Sequence, residues 1–253
     1  MSTFLRELHT EQKKCRHKKI WLVPLGFFLF QTMWLFWLLS HAKPEELTTG
    51  YLMLFYQLPV MNTILFPIMI AVIASRLCDM EIKGDTLKLL YTMQTPVRFF
   101  HCKYLNGIKY LFLFTLGHIL LITVCGNLFH FGNPMKMWML LSYLAVTLCT
   151  SAVILVIQQT LSLISDNQIM PLVVGLAGAF LGLFSLFFPA PFCRLVLWGY
   201  FAAFPNVAMD WNRTTRIERF YEVPFSTLGF LLFFVFGILV YVTCKTIFTK
   251  KEV

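Results

Sequence analysis

The side chains able to grip a partner or do chemistry gather in one stretch of this sequence, Ser75 to Arg98. It holds two acids close together, Asp79 and Glu81. Lys83, Gly84, Asp85, Thr86 and Lys88 follow, then Leu90 and Tyr91, then Thr95-Pro96-Val97-Arg98. Gly84 breaks the run before it, and Asp85 can cap a short helix reaching Gln94. Leu87, Leu90 and Tyr91 then share one helical face. Thr95 before Pro96 ends that helix and begins the next, as cap and first helical residue. The pattern predicts a short amphipathic helix joined stiffly to a long helix on either side. Such an element can carry a push from a partner into its neighbours.

Other chemistries lack their residues. The phosphate-gripping pattern G-x-x-x-x-G-K-[ST] is missing, so the chain has no motor of that kind. Cys15, Cys78, Cys102, Cys125, Cys149, Cys193 and Cys244 show neither a CxxC pair nor metal-ligand spacing, and read as small apolar residues. No metal site is expected. His118 lies inside an apolar block, but no Asp or Glu in a neighbouring block completes a proton relay, so it reads as a packing residue with its hydrogen bonds met.

The elements that position the stretch follow from composition. Of 253 residues, 58% are hydrophobic, 13% are charged and 27 are Phe. One soluble core cannot hide that surplus, because a folded surface needs polar cover. The apolar residues fall in six blocks, 20–40, 51–75, 105–130, 136–163, 168–188 and 224–244. A spanning helix needs roughly 20 mostly apolar residues. Strict alternation is absent, so a membrane barrel is excluded. No Asp or Glu lies in any block, and the lysines at 109 and 136 stand near block ends, where they can snorkel.

Lys and Arg orient the spans. With both termini inside, the inner stretches and Lys109 hold fifteen basic residues against six outside. The net charge of +9 is then mostly a topology signal, and nucleic-acid binding is not needed to explain it. Residues 1–19 predict an amphipathic helix on the inner surface, with Phe4, Leu5 and Leu8 at helical spacing. Residues 189–209 are apolar but crowded by Pro189, Pro191 and Pro205, and read as a re-entrant or surface-lying helical piece outside. The polar run 210–222 links it to the last span. The expected fold is an all-α membrane protein with six transmembrane helices and both termini cytoplasmic. It forms a single domain over 1–253, with 20–247 in the membrane and 248–253 as a tail.

At this point the Ser75–Arg98 stretch resembles the coupling-helix region of type-2 ABC exporter permeases. Those carry an acid, a Gly-Thr pair, a Lys-Leu-Leu core and a Pro-Val-x-Arg turn ahead of a Lys. The matching residues are Glu81, Gly84, Thr86, Lys88-Leu89-Leu90, Pro96-Val97, Arg98 and Lys103. Asp85 departs from the pattern by standing between Gly84 and Thr86. Length and layout are similar too, and Lys-Leu-Leu-Tyr resembles the permeases of lantibiotic or bacitracin immunity transporters.

The resemblance implies two permease chains in a bacterial cell membrane, identical or related, above two cytoplasmic ABC ATPases. It implies ATP and Mg²⁺ on those partners and no cofactor in this chain, which would not itself be an enzyme. The cargo would be an amphiphilic substrate such as an antimicrobial peptide. Glu81, Gly84, Asp85, Thr86, Lys88, Leu90, Tyr91 and Arg98 would form the ATPase-coupling site. Gln57, Asn62, Gln158, Gln159 and Trp198 are candidates for a substrate path, although polar residues in spans also bond across helices. Small residues Gly175, Gly178 and Gly182 suit close helix contact, within one chain or between two. Two other classes stay open: a membrane enzyme acting on lipids, and a non-transporting scaffold or sensor subunit.

Overall fold

The computed structural model describes residues 3–84, 90, 92–165, 167–212 and 217–250. Helix α1 (Thr3–His17) leads through a tight turn into α2 (Leu22–Ser40). Lys19 occupies the left-handed region there, at φ 52°. After the one-turn α3 (Pro44–Leu47) come two long helices, α4 (Gly50–Ile82) and α5 (Pro96–Leu128). Thr95 caps α5 as the sequence implies, its hydroxyl accepting from Arg98 N at 3.4 Å with Pro96 as the first helical residue. Then follow α6 (Met137–Ile164) and α7 (Ile169–Ser185). Two short pieces, α8 (Ala190–Cys193) and α9 (Tyr200–Ala203), flank a 3-10 turn at Leu197–Gly199. Strands β1 (Val207–Asn212) and β2 (Ile217–Glu222) precede the last helix, α10 (Thr227–Lys250).

Among the described residues, α2, α4, α5, α6 and α10 are long and apolar enough to cross a membrane, and α7 is a shorter apolar helix. The molecule is an all-α membrane protein in its spanning part. Helices α4 and α5 have 33 residues each, so each is about 50 Å long against a hydrocarbon layer of about 30 Å. Both overrun their apolar blocks at the same end. α4 continues past residue 75 to Ile82, and α5 begins at Pro96, well before 105. Helix α4 is central and packs against α2, α5, α6, α7 and α9, whereas α10 lies at the periphery with most of its apolar side chains exposed.

The connection between α7 and α10 bears on two expectations. The stretch read as re-entrant or surface-lying shows both features, with Leu195 80% exposed and its later part turned in among the helices. Phe201 is buried with its ring 5.1 Å from Phe66, halfway along α4. The prolines that exclude a seventh span suit this broken path. The run 210–222, expected to be a plain link, includes most of an antiparallel hairpin that pairs Met209 with Phe220 and Trp211 with Glu218. Val207 and Phe220 are buried against the tops of the helices, while Glu222 on β2 forms an ion pair with Lys136 at the start of α6. The alternation that makes these strands is short and charged, and this masks it in a scan for long apolar blocks.

The small residues of α7 serve contact within the chain. A Cβ added at Gly175 would collide with Ala71 on α4, and one at Gly178 with the Trp198 ring. At Gly182 it would stand 2.8 Å from the Trp198 backbone. Gly175→Val should therefore force α7 away from α4 and cost about 1–3 kcal/mol, read as a lower thermal midpoint of the detergent-solubilised protein.

Candidate functional site

Where α4 and α5 overrun their apolar blocks, they carry charges that meet α1. Glu7, Glu11 and Lys14 recur on α1 at helical spacing and so share one face. Lys103, on α5, is fully buried. Its ammonium donates to Leu77 O at 2.7 Å, to Glu11 Oε2 at 3.1 Å and to Glu81 Oε1 at 3.2 Å. All three protons are used. The same Nζ stands 5.1 Å from the centre of the Phe99 ring. Lys14 donates to Glu11 Oε1 at 2.9 Å and to Glu81 Oε1 at 3.0 Å. Two carboxylates and two ammonium groups thus form a closed cluster that pins α1 to α4 and α5. Arg98 adds an outer contact to Glu7 at 3.8 Å.

The balance of charge explains why this burial is tolerated. Desolvating a single ion costs several kcal/mol, so an isolated buried lysine would be excluded. Here each ammonium meets two carboxylates. Burial acts to lower the Lys14 pKa, but Glu11, and then Glu81, outweigh it and hold that pKa above the ordinary 10.5.

The expected coupling residues divide sharply. Glu81 sits in the cluster and Arg98 beside it. Gly84 ends the turn after α4 and is exposed. Leu90 is half-buried and packs on a core of Cys78, Phe99 and Leu163, with a helical bond from Gln94 N to Leu90 O at 2.9 Å. Asp85, Thr86, Lys88 and Tyr91 lie outside the described residues. An open depression of about 410 Å³ separates α1 from the Leu90 turn, lined by Lys14, His17, Met80, Leu90 and Met93. The sequence reading missed Glu11 and Lys14 as partners of Glu81 and Lys103. Acids at 7 and 11 with a lysine at 14, opposite the lone lysine of early α5, were the available signal.

No hydrogen bond joins one candidate path residue to another among the described residues, although Gln158 and Trp198 lie against neighbouring glycines of α7. Asn62 belongs to a buried ring that ties four spans together. Gln31 donates to Asn62 Oδ1 at 3.1 Å, and Asn62 donates to the Tyr143 hydroxyl at 3.0 Å. His118 contacts the Tyr143 hydroxyl through Nδ1 and Gln31 Oε1, at 3.0 Å, through Nε2. A neutral imidazole with its proton on Nε2 lets every donor in the circuit meet an acceptor. Gln158 is buried, and its amide can bridge Pro171 O at 3.0 Å and Gly175 N at 3.2 Å. Gln159 donates to Phe100 O at 3.0 Å. Gln57 is half-buried, and Trp198 packs against Gly178.

A family model described as ABC-2 family transporter protein matches residues 7–182, and the chain belongs to that family. Proteins of this kind are the membrane-spanning permease subunits of ABC transporters, and the multi-pass architecture here accords with it. The match takes in the charge cluster and the polar ring and stops before the inserted segment, the hairpin and α10. Among curated proteins and among solved structures, nothing matches the chain.

Removing one charge should unbalance the cluster. Lys103→Met leaves Glu11 and Glu81 with Lys14 and should cost about 3–5 kcal/mol, with α1 becoming open to protease. Adding Glu11→Gln restores neutrality and should recover part of the thermal midpoint. The pH dependence has a definite sign. A raised lysine pKa stabilises fully below 10.5, its unfolded value, and the contribution disappears as pH rises through the higher folded value. Protease protection of α1 should therefore hold across neutral pH and fall in strong alkali.

Proposed function

We propose that this chain is the permease subunit of an ATP-driven exporter. A separate ABC ATPase would dock beneath α4 and α5 and bind the ATP and Mg²⁺. A second permease chain, identical or related, would complete the membrane unit. The observation that carries this reading is the cluster of Glu11, Lys14, Glu81 and Lys103. It fastens α1, α4 and α5 into one body directly above the Leu90 turn. A force applied at that turn is therefore delivered to three elements at once.

The turn also presents apolar surface. Met93 is 76% exposed and Leu90 borders the depression beside α1. The ATPase-coupling site in this reading comprises Glu81, Gly84, Asp85, Thr86, Lys88, Leu90, Tyr91 and Arg98. The cargo is an amphiphilic substrate, of which an antimicrobial peptide removed from a bacterial plasma membrane is the specific case. Supporting this are the wording Lys88-Leu89-Leu90-Tyr91 and the apolar segment from Leu195, which is 80% exposed.

The test is co-purification with a co-expressed ABC ATPase subunit. Wild type should retain it, and Leu90→Asp should weaken retention by at least about tenfold, the scale of a hot-spot residue. Met93→Asp, which disturbs no core contact, should do the same with an unchanged thermal midpoint. Full retention by both variants would count against the reading, as would an ATPase rate that no amphiphilic peptide alters in reconstituted vesicles.

A further inference from the structure

Two cavities along α2 and α4 share one side chain. The first is an apolar groove of about 610 Å³ walled by Val23, Phe30, Leu65 and Val72. The second, of about 440 Å³, lies toward the α1–α2 turn and is lined by Lys18, Asp79 and Lys83. Arg76 lines both. Gly26 also lines the groove. A Cβ there would meet nothing within 4 Å, whereas those at Gly107, Gly175, Gly178 and Gly182 would each strike a neighbour. Gly26 therefore does not serve helix packing in this chain; it leaves a channel.

The charges at the end of the channel are unbalanced. Asp79 is taken by Lys83 at 2.9 Å. Arg76 and Lys18 are exposed and make no ion pair among the described residues. Elsewhere Lys14, Lys103 and Lys136 are each held by carboxylate. An arginine at the mouth of an apolar groove in a membrane helix calls for an anion. A second copy of the chain offers none from its most exposed apolar helices, because α2, α7 and α10 contain neither Asp nor Glu.

We propose that the two cavities form one site for an anionic phospholipid of the leaflet nearest α1. One acyl chain follows the groove past Gly26, and the phosphate is held by Arg76 and Lys18. A guanidinium can give a phosphate two parallel hydrogen bonds, and the nearby lysine adds charge. Lys18 and Met80 also line the depression beside the Leu90 turn, so the headgroup would lie next to the proposed coupling site, but its binding needs no ATPase.

The test offers purified full-length protein in detergent equal amounts of phosphatidylglycerol and phosphatidylcholine with identical acyl chains, and counts retained lipid by native mass spectrometry. Wild type should favour phosphatidylglycerol by roughly tenfold, the scale of two basic residues at a headgroup. Arg76→Gln should reduce the preference severalfold, and Arg76→Gln with Lys18→Gln should abolish it, while chain-driven retention remains. Gly26→Leu should fill the groove and reduce retention of both lipids, with an unaltered thermal midpoint. Equal retention of the two lipids by wild type would overturn the proposal. So would a full preference in Arg76→Gln, undiminished retention in Gly26→Leu, or complete copy-to-copy crosslinking through Gly26→Cys.

Discussion

The buried ammonium of Lys103 is the constraint on which the α1 end of this molecule depends. An ion at 0% exposure persists only with opposite charge and hydrogen bonds around it. Those partners come from two other helices, α1 and α4, so its presence dictates where α1 must lie and how far α4 and α5 must extend. Without a Glu11 carboxylate at 3.1 Å, α1 would have no specific reason to leave the headgroup layer. Without the Leu77 carbonyl at 2.7 Å, the third proton would be unmet. The length of the two long helices follows from this, since their ends must pass the apolar layer before charge can be gathered.

Within the apolar layer a different logic holds. There the ring of Gln31, Asn62, Tyr143 and His118 joins α2, α4, α5 and α6 without any formal charge. Lipid supplies no hydrogen bonds, so each polar group must find its partner in a neighbouring span. A closed circuit sets the rotation of four helices together, because turning any one of them breaks two contacts. The region above is set by shape instead. Trp198 lies over glycines on α7, and Phe201 meets Phe66.

How much of this could be read from the residues depended on range. Apolar run length gave six helical segments, close at most ends but short of the charged ends of α4 and α5, since that signal is local. The Thr95-Pro96 boundary was legible for the same reason. The charged overhangs were not, because a scan for apolar blocks stops where charge begins, and Asp79 and Glu81 therefore looked like loop. The pairing of Glu11 and Lys103 was also invisible, as nothing in either neighbourhood names the other. The hairpin was lost because Val207, Met209 and Phe220 alternate over too few residues to stand out from a polar run. Asn62 was visible as a polar residue in a span, but its two partners, Gln31 and Tyr143, lie too far away in sequence to be read from its neighbourhood.

The sequence separations inside the charge cluster set an order of assembly. Lys14 is 67 positions from Glu81, and Glu11 is 92 from Lys103. Synthesis proceeds from the N-terminus at about 5–20 residues per second, so α1 emerges several seconds before its counter-ions exist. Until α4 has been made, Glu11 and Lys14 have only each other and water, and the cluster is complete only when Lys103 follows. The first helix to be made is thus seated only after the end of α4 and the start of α5 have been synthesised.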